Sequence, residues 1–464
     1  MPTKQQNNVS FVSSDEIRSL FSSAMSQMYS KEVPAYGALL DLVEHSNQQY
    51  LDTHEEFSQR LNKVENVAKL SEQRHGAIRV GKASELAMMR RIFAIMGMYP
   101  VGYYDLSVAN VPVHSTAFRP VHTDSIRNNP FRVFTSLLRL DLIKNEALQS
   151  KAEKILNERD IFGQQVRDIV TKAETQGGLD QDQVIVFIDN IVKVFKWHSA
   201  AAIDAKLYTE LLNEHPLVAD VVSFKGPHIN HLTPRTLDID FMQSQIHKTG
   251  AKAKAVIEGP PTRQCPILLR QTAFLAIEEP VLFTENDSKQ TLTHAARFGE
   301  IEQRGCALTK KGRALYDELL TKTRTLTRPL NDGSNLDQYL AEIKSVFAQF
   351  PDNYAQMCEQ GLGYFKYTLE QDASKSYQGQ GLSIQELLVK GAVSINPITY
   401  EDFLPVSAAG IFQSNLGEQG DGDFGQSPNQ AQFEQDLGTI VADEFVLYEK
   451  MQQDSIEHCL SLLA

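Results

Sequence analysis

The stretch PHINHLTPRTLDID, residues 227–240, stands where this chain changes character. Upstream, the pattern is helical. Ser14-Asp15-Glu16 is a good helix start, with Ile17, Leu20, Phe21 and Met25 on one face. Further helices are expected over 35–54, over 83–98 and within 144–212, with strand-like runs at 111–120 and 131–137. The apolar stripe Val184, Ile185, Phe187, Ile188, Ile191, Val192 and Val194 reads as core packing. Downstream of Val218 the sequence turns to β, with strands expected at 221–224, 254–258, 267–277, 297–308 and 363–369. Helices over 310–323 and 336–350 interrupt them, and a loop at 417–429 (GEQGDGDFGQSPN) precedes a last helix.

This order predicts an α+β fold, a curved central sheet wrapped by inserted helices. No linker or fixed-period repeat divides the chain, so residues 1–464 are expected to form one catalytic unit. Its parts are a mainly helical 1–215, a β-rich core over 216–310 and 360–412, and a C-terminal helix over 430–464.

Composition narrows the function. A hydrophobic fraction of 42% with 22% charged residues is that of an ordinary globular protein. The net charge of −13 argues against a nucleic acid or an anionic membrane as partner. An anionic substrate would then have to be captured by local cations. The polar N-terminus MPTKQQNNVSFVSSDE has no apolar signal-peptide core, and no run is apolar enough for a transmembrane span. Cys265, Cys306, Cys358 and Cys459 are scattered without a CxxC pair, which fits a reducing compartment and predicts a cytoplasmic protein.

Three distant segments each offer a metal ligand: His75 in HGAIR (75–79), a histidine of 227–240, and a carboxylate of RFGEIEQRG (297–305). Two imidazoles and one carboxylate occupy one face of a divalent metal and leave the other positions open, as in non-heme Fe(II) oxygenases. His228 and His231 compete for the second place. Glu300 and Glu302 compete for the third, because residues two apart in a strand share a face. Two buried carboxylates need a metal or an arginine, and Arg270, Arg297 and Arg304 are at hand. Arg235 could pair with Asp238 or Asp240. His75 and Arg79, four apart, would share one face of a helical turn. His114 and His122 read as ordinary polar residues and His294 as loop. GDGDFG lacks the glutamate and paired helices of a calcium loop.

Long stretches resemble the 2-oxoadipate dioxygenase/decarboxylase family. They are RHGAIRVG (74–81), FAIMGMYPVGYYDLS (93–107), VPVHSTAFRP (111–120), NPFRVFTSLLRLDLI (129–143), INHLTPRTLDID (229–240), RFGEIEQRG (297–305) and ITYEDFLPVSAAGIFQSNLG (398–417). The resemblance implies a partly open, vicinal-oxygen-chelate-like β-barrel with large helical insertions. It implies Fe(II) held by His75, His231 and Glu302, with Glu300 the competing carboxylate. Arg79 and the Val406-Ser407 pair would contact substrate, His228 would stand behind the ligands or be merely structural, and a small 2-oxo dicarboxylic acid and O2 would be the reactants. The implied reaction turns 2-oxoadipate into 2-hydroxyglutarate, a step of lysine breakdown. Two other classes suit the same residues: an isomerase, lyase or hydrolase using another metal, and a non-catalytic 2-oxo-acid-binding protein.

Overall fold

The computed structural model describes residues 10–64, 67, 70, 73–250, 252–285, 288–330, 332–404 and 429–464. Its strands are β1 (Gln73–Val80), β2 (Tyr99–Asp105), β3 (Val113–Arg119), β4 (Arg132–Leu138), β5 (His231–Pro234), β6 (Leu269–Ala273), β7 (Ile277–Glu285), β8 (Ser288–Arg297), β9 (Glu300–Arg304), β10 (Phe365–Leu369) and β11 (Val393–Pro397). The main sheet runs β2-β3-β4-β1-β5; β1 and β4 are parallel and the other neighbours antiparallel. β6 pairs with β9, β7 with β8 and β10 with β11. A bridge between Arg235 and Glu302 carries the main sheet on from β5 to β9. Among the described residues the strands close no barrel. The fold is mixed helix and strand.

The pleat of β1 explains how the sheet serves two purposes. Ile78 and Val80 point to one side and join a core of helical side chains that includes Phe21, Met89, Phe93 and Phe187. Each such aliphatic side chain contributes about 1.5–3 kcal/mol by burial. His75, Ala77 and Arg79 alternate to the other side. The register places Arg132 and Phe134 of β4 beside His75 and Ala77, and Thr233 and His231 of β5 beside the same pair. Gly76 lets β5 come this close, since a Cβ there would stand 2.7 Å from Ile229 Cδ1 and 2.9 Å from Leu232 Cδ2.

The first helix, Ser14–Glu32, starts as expected, with the Ser13 hydroxyl accepting from Glu16 N at 3.2 Å. Near its end the Tyr29 hydroxyl lies 2.9 Å from the carbonyl of Asn230 and 2.8 Å from that of Phe298. One buried side chain thereby ties the entries to β5 and β9 together. The Val184 stripe packs inward except at Ile185, which is 55% exposed.

Several expectations change. Residues 221–223 belong to a helix, Pro216–Ser223, which Phe224 ends, and not to a strand. Pro216 sits in its first turn and the His215 ring accepts from Leu217 N at 3.0 Å, two start signals that outweigh the β-branched valines. His75 and Arg79 lie on a strand rather than a helical turn; a spacing of four keeps them on one face either way. His294, expected in a loop, lies on β8. Residues 254–258 form only isolated bridges, Ala253 with Phe274 and Glu258 with Gln271 flanking them. The last helix is two, Gln430–Leu437 and Glu444–Ser461, parted where Gly438 takes φ 75°, a left-handed conformation that ends a helix. Val406, Ser407 and the loop through Pro428 lie outside the described residues.

Candidate active site

His75 reaches from β1, His231 from β5 and Glu300 from the start of β9, all 1% exposed. The Nε2 atoms of the two histidines are 3.3 Å apart. Glu300 Oε1 is 3.2 Å from His75 Nε2, and its Oε2 is 4.0 Å from His231 Nε2. Thr233 donates to Oε1 at 3.2 Å, while Oε2 is buried without a hydrogen-bond partner among the described residues. Donor atoms on a common metal at about 2.0–2.2 Å stand about 3 Å apart when adjacent. This spacing and the orphaned carboxylate oxygen fit a divalent cation between the three.

Glu302 faces elsewhere. Arg304 Nε donates to its Oε1 at 2.7 Å and Arg304 Nη2 to its Oε2 at 2.8 Å, a bidentate fork. Oε2 also lies 2.9 Å from His75 Nδ1, the nitrogen turned away from His231. The structure therefore brings Glu300 to the two Nε2 atoms and sets Glu302 behind His75, in the place of a carboxylate that fixes a ligating imidazole. Two residues of one strand share a face, and the neighbours separate them.

Electrostatics agrees with that division. Burial pushes the Glu302 carboxyl up, but Arg304 and His75 outweigh it and hold it well below the usual carboxylate range. Burial lowers His231, and the charges of His75 and Arg79 lower it further, so its ring resists protonation. Burial also acts to lower His75, yet Glu302 and Glu300 prevail and raise it.

Apart from Arg304, the floor is built by residues that composition and spacing did not point to. Arg132 Nη2 is 2.6 Å from Glu401 Oε2. Arg304 Nη1 donates to the carbonyls of Tyr400 and Asp402 at 3.0 and 2.6 Å. Arg119 forks Asp402 at 2.7 and 2.9 Å. These contacts press the Phe403 ring edge-on against His75, centroids 4.9 Å apart, and Phe298 covers His231 at 4.6 Å. The signal for Glu401 and Asp402 was their position, two charged residues just before an apolar stretch.

Arg79 points along the same face to a second buried cluster. Its Nη1 donates to Asp220 Oδ2 at 2.7 Å. Asp220 Oδ1 lies 3.1 Å from His228 Nε2 and 2.9 Å from His294 Nε2. His294 Nδ1 meets the Tyr208 hydroxyl at 2.9 Å. Burial raises the Asp220 carboxyl, but His228, His294 and Arg79 together hold it well below the usual range. His228 thus stands apart from His75, His231 and Glu300, and His294 is a buried strand residue, not loop. Of the sequence's other pairings, Asp240 takes Arg270 at 2.7 Å rather than Arg235. Arg297 takes Glu32 at 2.5 Å, and Glu279 as well. His114 and His122 lie outside both clusters.

Known proteins resemble this chain along nearly its whole length. The family model described as 2-oxoadipate dioxygenase/decarboxylase matches residues 21–415. A protein of that name from Pseudomonas putida is 50% identical over 455 residues, covering 98% of each chain. One from Escherichia coli is 50% identical over 450 residues, covering 97% of this chain and 98% of its own. The crystal structure of a hydroxyglutarate synthase from Pseudomonas putida in complex with 2-oxoadipate superposes with a TM-score of 0.91 at 49% identity, covering 98% of this chain and 99% of that one.

Proposed function

The chain belongs to the 2-oxoadipate dioxygenase/decarboxylase family, and we propose that it converts 2-oxoadipate and O2 to 2-hydroxyglutarate and CO2 at an Fe(II) centre held by His75, His231 and Glu300. The atoms balance with no second organic substrate. The observation that carries the reading is the trio of facing donors with one orphaned carboxylate oxygen, sharing a sheet face with a buried arginine. An opened vicinal-oxygen-chelate-like cup, with β5 handing on to β9, would house it.

Bound ferrous iron supplies open coordination positions and the electrons that O2 activation needs. The protein supplies orientation and charge. Glu302 and Arg304 fix the His75 ring through Nδ1, so that Nε2 keeps its lone pair toward the centre. Three carboxylates, Glu300, Glu302 and Glu401, stand with two guanidinium groups, Arg132 on Glu401 and Arg304 on Glu302. That leaves one negative charge, which a divalent cation turns into one positive charge suited to a 2-oxo carboxylate. Phe403, Phe298 and Phe134 keep water from the reacting carbons. Arg79 receives a substrate carboxylate, for which a planar guanidinium fork is matched. Val406 and Ser407 are proposed to close over the substrate.

The test is oxygen uptake by protein loaded with Fe(II) under anaerobic conditions. One O2 consumed and one CO2 released per 2-oxoadipate, with no added 2-oxoglutarate, is the expected result. Turnover without O2, or dependence on added 2-oxoglutarate, would refute it.

A further inference from the structure

The cluster around Asp220 has no place in the chemistry above, yet it too is buried: Asp220 is 6% exposed, His228 3% and His294 5%. Its composition, two histidines and one carboxylate, would serve a cation. Its charge arrangement does not. One Asp220 oxygen already accepts from Arg79, and the other faces two imidazole nitrogens. A divalent cation there would sit beside the guanidinium with a single anion between them, leaving two buried positive charges uncompensated. Isolated buried charge is among the costliest features a fold can carry.

The same contacts suit another task. Asp220 sits on the helix Pro216–Ser223, His228 in the approach to β5 and His294 on β8, so three separate elements converge on one carboxylate. Tyr208 braces His294 from a fourth, the helix Ala205–Glu214. Trp197 walls the group, its ring centroid 4.8 Å from that of His228. A carboxylate held this rigidly holds its guanidinium partner equally rigidly. Arg79 stands four residues along β1 from His75, on the same face, about 13 Å away at about 3.3 Å per residue. A six-carbon 2-oxo diacid, chelated at one end by the metal, carries its far carboxylate about 5 Å beyond the keto carbon when extended. With metal–oxygen and carboxylate–guanidinium contacts of about 2 and 3 Å the bound ligand spans about 10 Å, which fits within that backbone separation.

We propose that Asp220, backed by His228 and His294, is a positioning residue that sets Arg79 at a fixed reach from the metal centre, and so selects 2-oxo acids bearing a second carboxylate four carbons beyond the keto carbon. The inference rests on the reading of His75, His231 and Glu300 as the metal end. It assigns Arg79 to the distal carboxylate and gives the second cluster a role in specificity.

The experiment is calorimetric titration of the Fe(II)-loaded full-length protein without oxygen, using 2-oxoadipate and 2-oxohexanoate, which has a methyl in place of the distal carboxylate. Wild type should prefer 2-oxoadipate. Asp220→Asn should weaken 2-oxoadipate about 30-fold or more and 2-oxohexanoate about threefold or less, the low end of what loss of a buried charge partner costs. Iron should stay at one per chain in both proteins, and Asp220→Glu should restore part of the preference. If Asp220→Asn does not fold, His294→Gln tests the same support and should erode the same preference about fivefold. Equal weakening of both ligands would make Asp220 merely structural. Two metals per wild-type chain, falling to one in Asp220→Asn, would make the cluster a metal site. Either result overturns the proposal. Intact discrimination in a protein that consumes no O2 would sink the proposed reaction and leave this inference standing.

Discussion

Two buried clusters in this molecule have the same parts, two histidines and one carboxylate, and opposite physics. In His75, His231 and Glu300 the donor atoms face one another and one carboxylate oxygen has no partner. In Asp220, His228 and His294 the carboxylate is already occupied, by a guanidinium on one oxygen and two ring nitrogens near the other. In the first arrangement no guanidinium meets the carboxylate among the described residues. The second contains one. Residue type alone therefore says little about a metal site; what decides is whether the charge is already matched. The two glutamates of β9 repeat the lesson two residues apart, since Glu302 has Arg304 and Glu300 does not.

The comparison breaks most readily at the metal end. His231→Ala and Glu300→Gln should each abolish iron retention and oxygen uptake, a loss of about a thousandfold or more for groups that act as a unit. Glu302→Gln should instead keep measurable iron binding and lose thermal stability. It strands the Arg304 charge in the interior, where breaking a buried pair costs about 3–5 kcal/mol. Iron content and melting temperature, measured on all three variants, separate the outcomes. An iron-free Glu302→Gln beside an iron-replete Glu300→Gln would reverse the assignment.

That reversal would restore the reading by resemblance, which took Glu302. The sequence pointed to one strand and to two carboxylates on it, and both lie on β9. It could not show that the Arg304 fork claims one of them, because that contact depends on side-chain direction at β9. His75 and Arg79 were legible for an opposite reason: a spacing of four shares a face in helix and strand alike. Asp220 was hidden by its neighbours, as the valines around it read as a strand, and Pro216 after His215 was the missed start signal. His294 was lost with the loop drawn through β8. The helices at 14–32, 34–53 and 83–95 were clear because period and length agreed, with a side-chain cap as well at the first.

At the second cluster the expected effect on function is smaller. Arg79→Lys keeps a positive charge against Asp220 but loses the fork that a carboxylate needs. Iron occupancy should be unchanged, and kcat/KM for 2-oxoadipate should fall by a factor of about tens to a thousand, from about 2–4 kcal/mol of lost charge-assisted contact. Arg79→Ala should lose nearly all of it. Iron loss in step with activity would show instead that Arg79 braces β1 under His75, and an unchanged kcat/KM would remove it from the site.

The smallest effect concerns acid. The folded Asp220 carboxyl lies well below its ordinary value of 3.8, because His228, His294 and Arg79 outweigh the cost of burial. A carboxyl depressed in the folded state stabilises the fold fully above the unfolded value, and that contribution is lost only as pH falls through the lowered folded value. The stability gap between metal-free wild type and Asp220→Asn should therefore be flat from about pH 7 to about pH 5 and begin to narrow only below 3.8. The metal end should behave differently, since iron must compete with protons for His75 and His231 and should be released at milder acidity. Denaturant midpoints at stepped pH, with iron content followed in parallel, test both halves. A gap that already narrows between about pH 7 and about pH 5.5 would mean that imidazole titration, not the Asp220 carboxylate, governs the second cluster. The two clusters would then differ in their metal alone, not in how their charge is matched.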